Sequence, residues 1–445
     1  MISFMVSALQ SGSGKTMVTV TLLEMLRRRG LKLCSFKTGP DYIDPGFHRC
    51  VEGVDTHNLD LFMSDEDTVK SIFAGACVGK DCAVTEGAMG FYDGLGGISE
   101  KASSYDVARV LRLPVIIVID AKGLSFSVSA AMKSFAEFRR NANIVGFILN
   151  RTSAMLAERM GNAIAGETGL KYFGYIEDTD SIKIESRHLG LIRASENKDI
   201  IDGIKKSADK AADTIKLDEI IHTCKYEEDI CYIKSVTKEF DLKLCVVKDK
   251  AFSFMYRESV ELLKKLGADI DYVSLIDNEI LPADCSGIYI PGGYPELYAK
   301  ELMDNKSMRQ SVKQSIASGM PVIAECGGFM YLQDSIEEAG RRHEMAGVYG
   351  GCAKRTKGLV RFGYVTMDDE NGNVMNAHSF HHYDVGAGNL GNDYMVTKPL
   401  STRVWREAYR LNGGYAGFPH LYPAGSVDFI KAFLGACEKY GAVQE

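Results

Sequence analysis

The chain has 445 residues, with 52 Lys and Arg against 59 Asp and Glu and a net charge of -7. That length exceeds what one hydrophobic core fills, so two domains, or three at most, are expected. The acidic balance removes any general attraction to nucleic acid or an anionic membrane, and eleven scattered cysteines without a Cys-x-x-Cys pair predict a reducing cytoplasm, with neither a disulfide framework nor structural zinc.

From residue 1 to 195 apolar runs alternate with amphipathic stretches. Strands are predicted at 2–8, 31–36, 82–85, 114–119, 144–149 and 171–176, and helices over Lys15–Arg29 and Ser125–Arg140. Such alternation predicts a parallel, doubly wound α/β sheet. Because the chain opens on a core strand, no signal peptide is expected. No apolar run approaches the ~20 residues that cross a bilayer, the longest clear one being Pro114–Ile119. Residues 196–240 are rich in Lys, Asp and Glu, carry a predicted helix over Lys198–Ile215, and read as a domain connection. A second alternating series, with strands near 243–248, 270–274, 287–290 and 321–324, predicts a second α/β domain over 241–445.

Residues 11–16, Ser-Gly-Ser-Gly-Lys-Thr, fall after the first strand and before the first helix. There, consecutive backbone amides converge on phosphate oxygens. Gly12 and Gly14 permit the tight backbone around Ser13, Lys15 supplies charge to the β- and γ-phosphates, and Thr16 is the expected magnesium ligand. The glycine that usually opens such a loop is missing, Ala8 and Leu9 standing nearby. Next comes Phe36–His48, which places Lys37, Asp41 and Asp44 at the carboxyl end of a strand, where doubly wound folds hold ligands. Glu86 closes the following predicted strand ahead of Tyr92-Asp93-Gly94, as the acidic magnesium partner of a phosphate-loop enzyme does. Each feature alone would be a turn; their convergence on strand ends points to a site.

In Met320–Leu332 an apolar run delivers Cys326 to a Gly-Gly turn with a helical pattern behind it. A strand ending in a sharp turn exposes a thiol at the top of a sheet, and the Gly327 amide can help stabilise an oxyanion. A lone Cys-Gly-Gly would be a buried structural cysteine. The phosphate loop on the same chain changes that reading, because cleaving ATP and cleaving an amide together make an amide-transferring ligase. The thiol needs a base, for which His378, His381, His382 and His420 are candidates. Gly292-Gly293 follows the strand ending at Ile290, and Gly293 is the expected second oxyanion donor.

The order Ser11–Thr16, Lys37–Pro45, Asn58-Leu-Asp60, Glu86–Gly94 and Ser186–Leu191 resembles the a,c-diamide synthases of corrinoid biosynthesis. The likeness continues through Ala251–Phe254, Gly292–Tyr298 and Ala324–Gly328, nearly the whole chain. That family joins a dethiobiotin-synthetase-like ATPase domain, here 1–195, to a class I glutamine amidotransferase domain, here 241–445. It converts the a and c acetates of cobyrinic acid to amides. The resemblance implies that Lys15, Thr16, Lys37, Asp41 and Glu86 serve ATP and Mg2+, with Thr16, Asp41 and Glu86 toward the metal, while Asp44 and Asp93 lie near the activated carboxylate. It also selects His420, in Gly417–Tyr422, as the base beside Cys326; the family's second histidine is Tyr422 here. His378 matches a Gly-His-Glu-Phe-His segment without its Glu and is expected to be substrate-facing or structural. No carboxylate is assigned to orient His420.

A carboxylate resists ammonia because oxide is a poor leaving group, so an acyl phosphate is expected first, then attack by ammonia that Cys326 frees from glutamine and that passes between the domains. The expected partners are ATP, L-glutamine and a polycarboxylate tetrapyrrole held by Arg187, His188 and Arg361. Neither nucleic acid nor membrane is expected, and homodimerisation stays open. The nickel-sirohydrochlorin a,c-diamide synthases share this architecture. An alternative of another class is a regulatory phosphate-loop ATPase with an inert amidotransferase-like domain, against which the absence of a basic face in Val427–Tyr440 counts.

Overall fold

The structure, a computed structural model, describes residues 1–177, 198–228, 236–370 and 372–444. The chain divides into two compact units, Met1–Lys234 and Ser235–Glu445.

In the first unit β1 (Ile2–Ala8), α1 (Lys15–Arg28), β2 (Leu33–Thr38), α2 (Asp44–His48), β3 (Asp55–Leu59), α3 (Glu66–Cys77) and β4 (Cys82–Glu86) come first. They are followed by α4 (Ser104–Leu111), β5 (Val115–Asp120), α5 (Ser127–Glu137), β6 (Ile144–Thr152), α6 (Ala154–Thr168) and β7 (Lys171–Glu177). The seven strands pair in parallel in the order β3-β2-β4-β1-β5-β6-β7. Alternate residues of β1 serve opposite faces: Phe4, Val6 and Ala8 join one core cluster with Val18, Leu22 and Leu26 of α1, and Met5 joins the other with residues of α3 to α6.

Two features depart from the sequence expectations. Strand β3 reads Asp-Thr-His-Asn-Leu, with no apolar run, and forms by extending the edge of β2 from Cys34↔Asp55 to Thr38↔Leu59. The segment expected as a connection contains α7 (Lys198–Ala211) and α8 (Leu217–Thr223), and these belong to the first unit's core. Its charges conceal a stripe of Ile200, Ile204, Ala208 and Ala211 at helical spacing, buried with Ile215, Leu217 and Ile220. Thr21 and Ser207 hydroxyls, 2.8 Å apart, tie α1 to α7.

The second unit begins with β8 (Leu242–Val247), β9 (Phe252–Phe254), α9 (Arg257–Leu266), β10 (Ala268–Val273), β11 (Gly287–Ile290), β12 (Gly292–Gly293), α10 (Ala299–Asp304) and α11 (Lys306–Ala317). Then come β13 (Val322–Glu325), α12 (Gly327–Tyr331), β14 (Gln333–Glu338), β15 (Arg341–Glu344), β16 (Tyr349–Asp368) and β17 (Val374–Asp384). The last elements are β18 (Tyr394–Thr397), β19 (Val404–Glu407), β20 (Tyr415–Gly417), β21 (His420–Leu421) and α13 (Val427–Gln444). A parallel sheet runs β10-β8-β11-β13-β20. A second, mixed sheet of seven strands is built around β16 and β17 and was not expected from sequence. Register shifts at Arg355/Val360 and Val360/Gly363, with positive φ at Arg361 and Gly363, break the alternation that would reveal it.

Candidate functional site

In the first unit the loop from β1 to α1 places Gly14 at the N-cap with φ 85°, and no side chain caps the helix. A Cβ there would lie 2.2 Å from Asn150 Nδ2, so Gly14 is required both by its backbone and by its neighbour. Asn150 at the end of β6 donates to the Ser13 carbonyl at 2.9 Å, and Arg151 donates to that of Gly12 while pairing with Asp120 at 3.0 Å. Ser13 Oγ donates to the Gln10 carbonyl at 3.0 Å. These bonds shape the loop without the missing opening glycine. Beside it, Ala121, Gly123, Arg151, Ser153, Leu156 and Glu177 line a cavity of about 430 Å³.

Lys15, Thr16, Lys37, Asp44, Glu86 and Asp93 converge at the carboxyl ends of β1, β2 and β4. Thr16 Oγ1 donates to Glu86 Oε1 at 2.7 Å; Lys37 Nζ lies 2.9 Å from the same oxygen and 2.6 Å from Asp44 Oδ2. His48 Nε2 lies 2.6 Å from Glu86 Oε2, and its Nδ1 lies 3.1 Å from Ser35 Oγ. Lys15 donates to the Met89 carbonyl. Burial, then the charge of Lys37, lowers the Lys15 ammonium to about 8, opposed by Glu86, Asp44 and Asp93. Burial alone would raise Glu86, but Lys37 and His48 outweigh it and hold the carboxyl below its usual range. Asp44 is pushed upward by burial against the pull of Lys37, with Asp41 adding to the rise.

Asp41 spends one oxygen on the turn, accepting the amides of Ile43 and Asp44 at 2.7 and 3.0 Å. Asp93 Oδ2 accepts the Gly90 amide at 2.9 Å. His48, Asn150 and Arg151 escaped the motif reading, although each ends or follows a strand whose end carries chemistry. Among the described residues no group of three or more His, Cys, Asp and Glu side chains makes a metal cage. Magnesium, which keeps waters and few protein ligands, needs none, and the hydroxyl and carboxylate oxygens of Thr16, Glu86 and Asp41 suit it.

In the second unit the strand-to-helix turn from β13 to α12 holds Cys326 at φ 48°, ψ -101°, a conformation a non-glycine residue avoids. Its amide donates to the Gly417 carbonyl at 2.8 Å, joining the turn to β20. The same chain segment continues to His420. Gly292 makes room for that ring: a Cβ there would lie 2.2 Å from His420 Cε1. Gly293 fits tightly too, since its Cβ would lie 1.9 Å from the Ala251 carbonyl, and a Cβ on Gly327 would lie 3.0 Å from the Gly293 nitrogen. The turn that carries Cys326, the His420 imidazole and the two expected amide donors therefore meet at β12. Burial, then Glu296 and Glu325, push the Cys326 thiol well up, and burial lowers His420 to about 3, with His378 and His381 adding to the fall. Both side chains rest uncharged.

The remaining histidines occupy other places. His378 lies directly opposite His420 in the β17–β21 pair. His381 stacks on Phe418 at 4.0 Å and donates Nδ1–H to the Tyr383 carbonyl at 2.7 Å, and His382 is exposed. Arg361 is held in an ion pair, 3.0 Å from Asp384 and 3.5 Å from Glu407. Arg187 and His188 lie outside the described residues. Glu325 was not singled out by sequence, yet its Oε2 stands 3.8 Å from His420 Nδ1. Its position next to Cys326 was the available signal.

A phosphate-loop unit and a unit with a strained Cys beside His define a nucleotide-binding glutamine amidotransferase. Residues 4–192 match the CobQ/CobB/MinD/ParA nucleotide binding domain, and residues 243–396 the CobB/CobQ-like glutamine amidotransferase domain. The chain is 34% identical to the cobyrinate a,c-diamide synthase of Caldanaerobacter subterraneus, across 98% of this chain and 99% of that protein. It is 36% identical to that of Clostridium tetani, across 97% and 99%, and 35% identical to that of Clostridium acetobutylicum, across 96% and 99%. This chain belongs to the cobyrinate a,c-diamide synthase family. Among the described residues no helix is long and apolar enough to cross a membrane.

Proposed function

We propose that the protein uses ATP and glutamine to amidate the a and c acetate carboxylates of cobyrinic acid, in cobalamin biosynthesis. Lys15 leaves the Met89 carbonyl to hold the γ-phosphoryl group, with Lys37 beside it, and the α1 amides cradle the phosphates. The nucleoside occupies the cavity beside Arg151. Thr16, Glu86 and Asp41 would hold Mg2+, which would supply charge neutralisation on the phosphate oxygens. The substrate carboxylate attacks the γ-phosphorus, the bond to the bridging oxygen breaks, and ADP leaves an acyl phosphate near Asp44 and Asp93.

In the second unit Cys326 gives its proton to His420 and the thiolate attacks the glutamine carboxamide, the oxyanion accepting from the Gly293 and Gly327 amides. His420 returns the proton to the departing ammonia, and water hydrolyses the thioester to glutamate. Ammonia then attacks the acyl carbon, phosphate leaves, and loss of a proton completes the amide. The observation carrying this reading is that one chain holds both the Lys15–Thr16–Lys37–Glu86 cluster and the strained Cys326 turn beside His420.

The test incubates the protein with ATP, Mg2+, glutamine and either cobyrinic acid or nickel-sirohydrochlorin. Two successive acid-to-amide mass changes on cobyrinic acid are expected. Amidation of nickel-sirohydrochlorin alone would transfer the reading to the nickel enzymes, and glutamine-independent ATP hydrolysis without product would favour a regulatory ATPase.

A further inference from the structure

Position 325, which ends β13 immediately before the nucleophile, carries a carboxylate with no exposure to solvent. A buried carboxylate is costly unless partners meet it. Glu325 Oε1 accepts the Leu421 amide at 3.2 Å and Oε2 accepts the Tyr289 hydroxyl at 3.2 Å. Both donors are neutral. The group with a cationic form that stands against it is His420, whose Nδ1 is 3.8 Å from Oε2. The residues that follow His420 bring no carboxylate, since Leu421 and Tyr422 come next and Tyr422 packs edge-on against Tyr256 at 5.0 Å.

We infer that Glu325 is the positioning residue of the glutaminase dyad: it fixes His420 with Nδ1–H toward Oε2 and balances the imidazolium formed when Cys326 loses its proton. The inference rests on the glutaminase reading above. The thiol S–H bond breaks, an N–H bond forms at Nε2, and nothing is oxidised. A contact of 3.8 Å is long for a hydrogen bond at rest and tightens when charge develops on the ring. Without such a partner the cation would be expensive, because burial, with His378 and His381 from β17 behind it, drives His420 to about 3. Burial likewise pushes Glu325 up to about 8, because only the neutral Leu421 amide and Tyr289 hydroxyl oppose it; the imidazolium that forms on His420 is the charge that draws the carboxyl to its ionised form. Tyr289 from β11, Tyr415 from β20 and Cys326 itself also face Glu325. Glu325 also explains an architectural detail. By binding the Leu421 amide it ties β21, which bears the base, to the strand that bears the nucleophile.

The test compares E325Q and E325D with the wild-type protein for glutamine hydrolysis and for alkylation of Cys326 by iodoacetamide across pH, read on the Cys326 peptide. For E325Q, kcat is expected to fall by at least about tenfold with KM nearly unchanged, as when an orienting carboxylate is removed from a catalytic triad. The alkylation profile should move to higher pH. Ammonia-dependent synthesis should persist, showing that the protein is folded. E325D, which keeps the charge but withdraws it by one methylene, should shift both readouts less. An alkylation profile and kcat identical to wild type in E325Q would overturn the inference, and so would an unshifted profile in E325D should E325Q fail to fold. A wild-type protein without glutaminase activity would instead sink the functional reading.

Discussion

Cys326 shows most directly how one residue's chemistry is separable from the rest. Cys326→Ser is expected to abolish glutamine hydrolysis and glutamine-dependent amidation, because a serine hydroxyl supplies no accessible thiolate, while ATP-dependent amidation continues on ammonium salts. That rescue should grow with pH as free ammonia increases. Steady-state assays with each nitrogen source decide it, and wild-type use of glutamine by the variant would make the cysteine structural. Lys15→Ala should remove synthesis and leave glutaminase activity detectable, since under the proposed function Lys15 acts on the phosphates and not on the thiol. The lowered Lys15 ammonium adds a pH signature. As pH rises through about 8 the free protein loses that charge, so ATP affinity should fall above this pH and binding there should take up a proton. Calorimetry in buffers of different ionisation enthalpy measures both. Asp44→Asn and Asp93→Asn should damage transfer more than ATP binding; losses of affinity as large as in Lys15→Ala would place them in the nucleotide site.

At the scale of elements, the ends of β1, β2 and β4 are bound together by Glu86, which joins Thr16 of α1, Lys37 of β2 and His48 of α2. Glu86→Gln leaves the buried Lys37 ammonium with less compensation and should destabilise the first unit by about 3 kcal/mol, the scale for breaking a buried ion pair. Urea unfolding gives the value, and an unchanged midpoint would mean that the pair contributes nothing to stability. The Glu86 carboxyl is held below its ordinary range in the fold. Its contribution is therefore present above the unfolded carboxylate value and is lost as pH falls through the lower folded value. Element by element, the sequence was legible where apolar periodicity is strong, as in β1, β5 and α1. It was opaque in β3 and β16, whose pairing partners and bulges compensate for weak local patterns.

At the scale of the whole molecule, each unit has its own core. Under the proposed function, a non-hydrolysable ATP analogue with Mg2+ at 100 times its dissociation constant should stabilise the first unit by about 2.7 kcal/mol. Amide hydrogen exchange should slow around residues 9–16, 37–48 and 86–93. Protection of the segment around Cys326 in place of these would contradict the assignment of ATP to the first unit. Residues 198–228 should exchange with the first unit, because Ile200, Ile204 and Ala208 are buried in its core.

The sequence by itself determined the two α/β units, the phosphate loop at 11–16, the strand-end residues Lys37, Asp44, Glu86 and Asp93, and Cys326 in its glycine turn. These are local: a loop's glycines, a helix start and a strand end are set by neighbours within a few residues. Only the tertiary structure decided that 198–228 packs into the first unit, that Asn150 and Arg151 brace the phosphate loop, that His48 shares Glu86, and that Glu325 faces His420. Those partners lie far apart in the chain and meet through parallel-strand crossovers or across two sheets. Spacing in sequence carries no record of such meetings, because side-chain contact there depends on register and burial in the folded core.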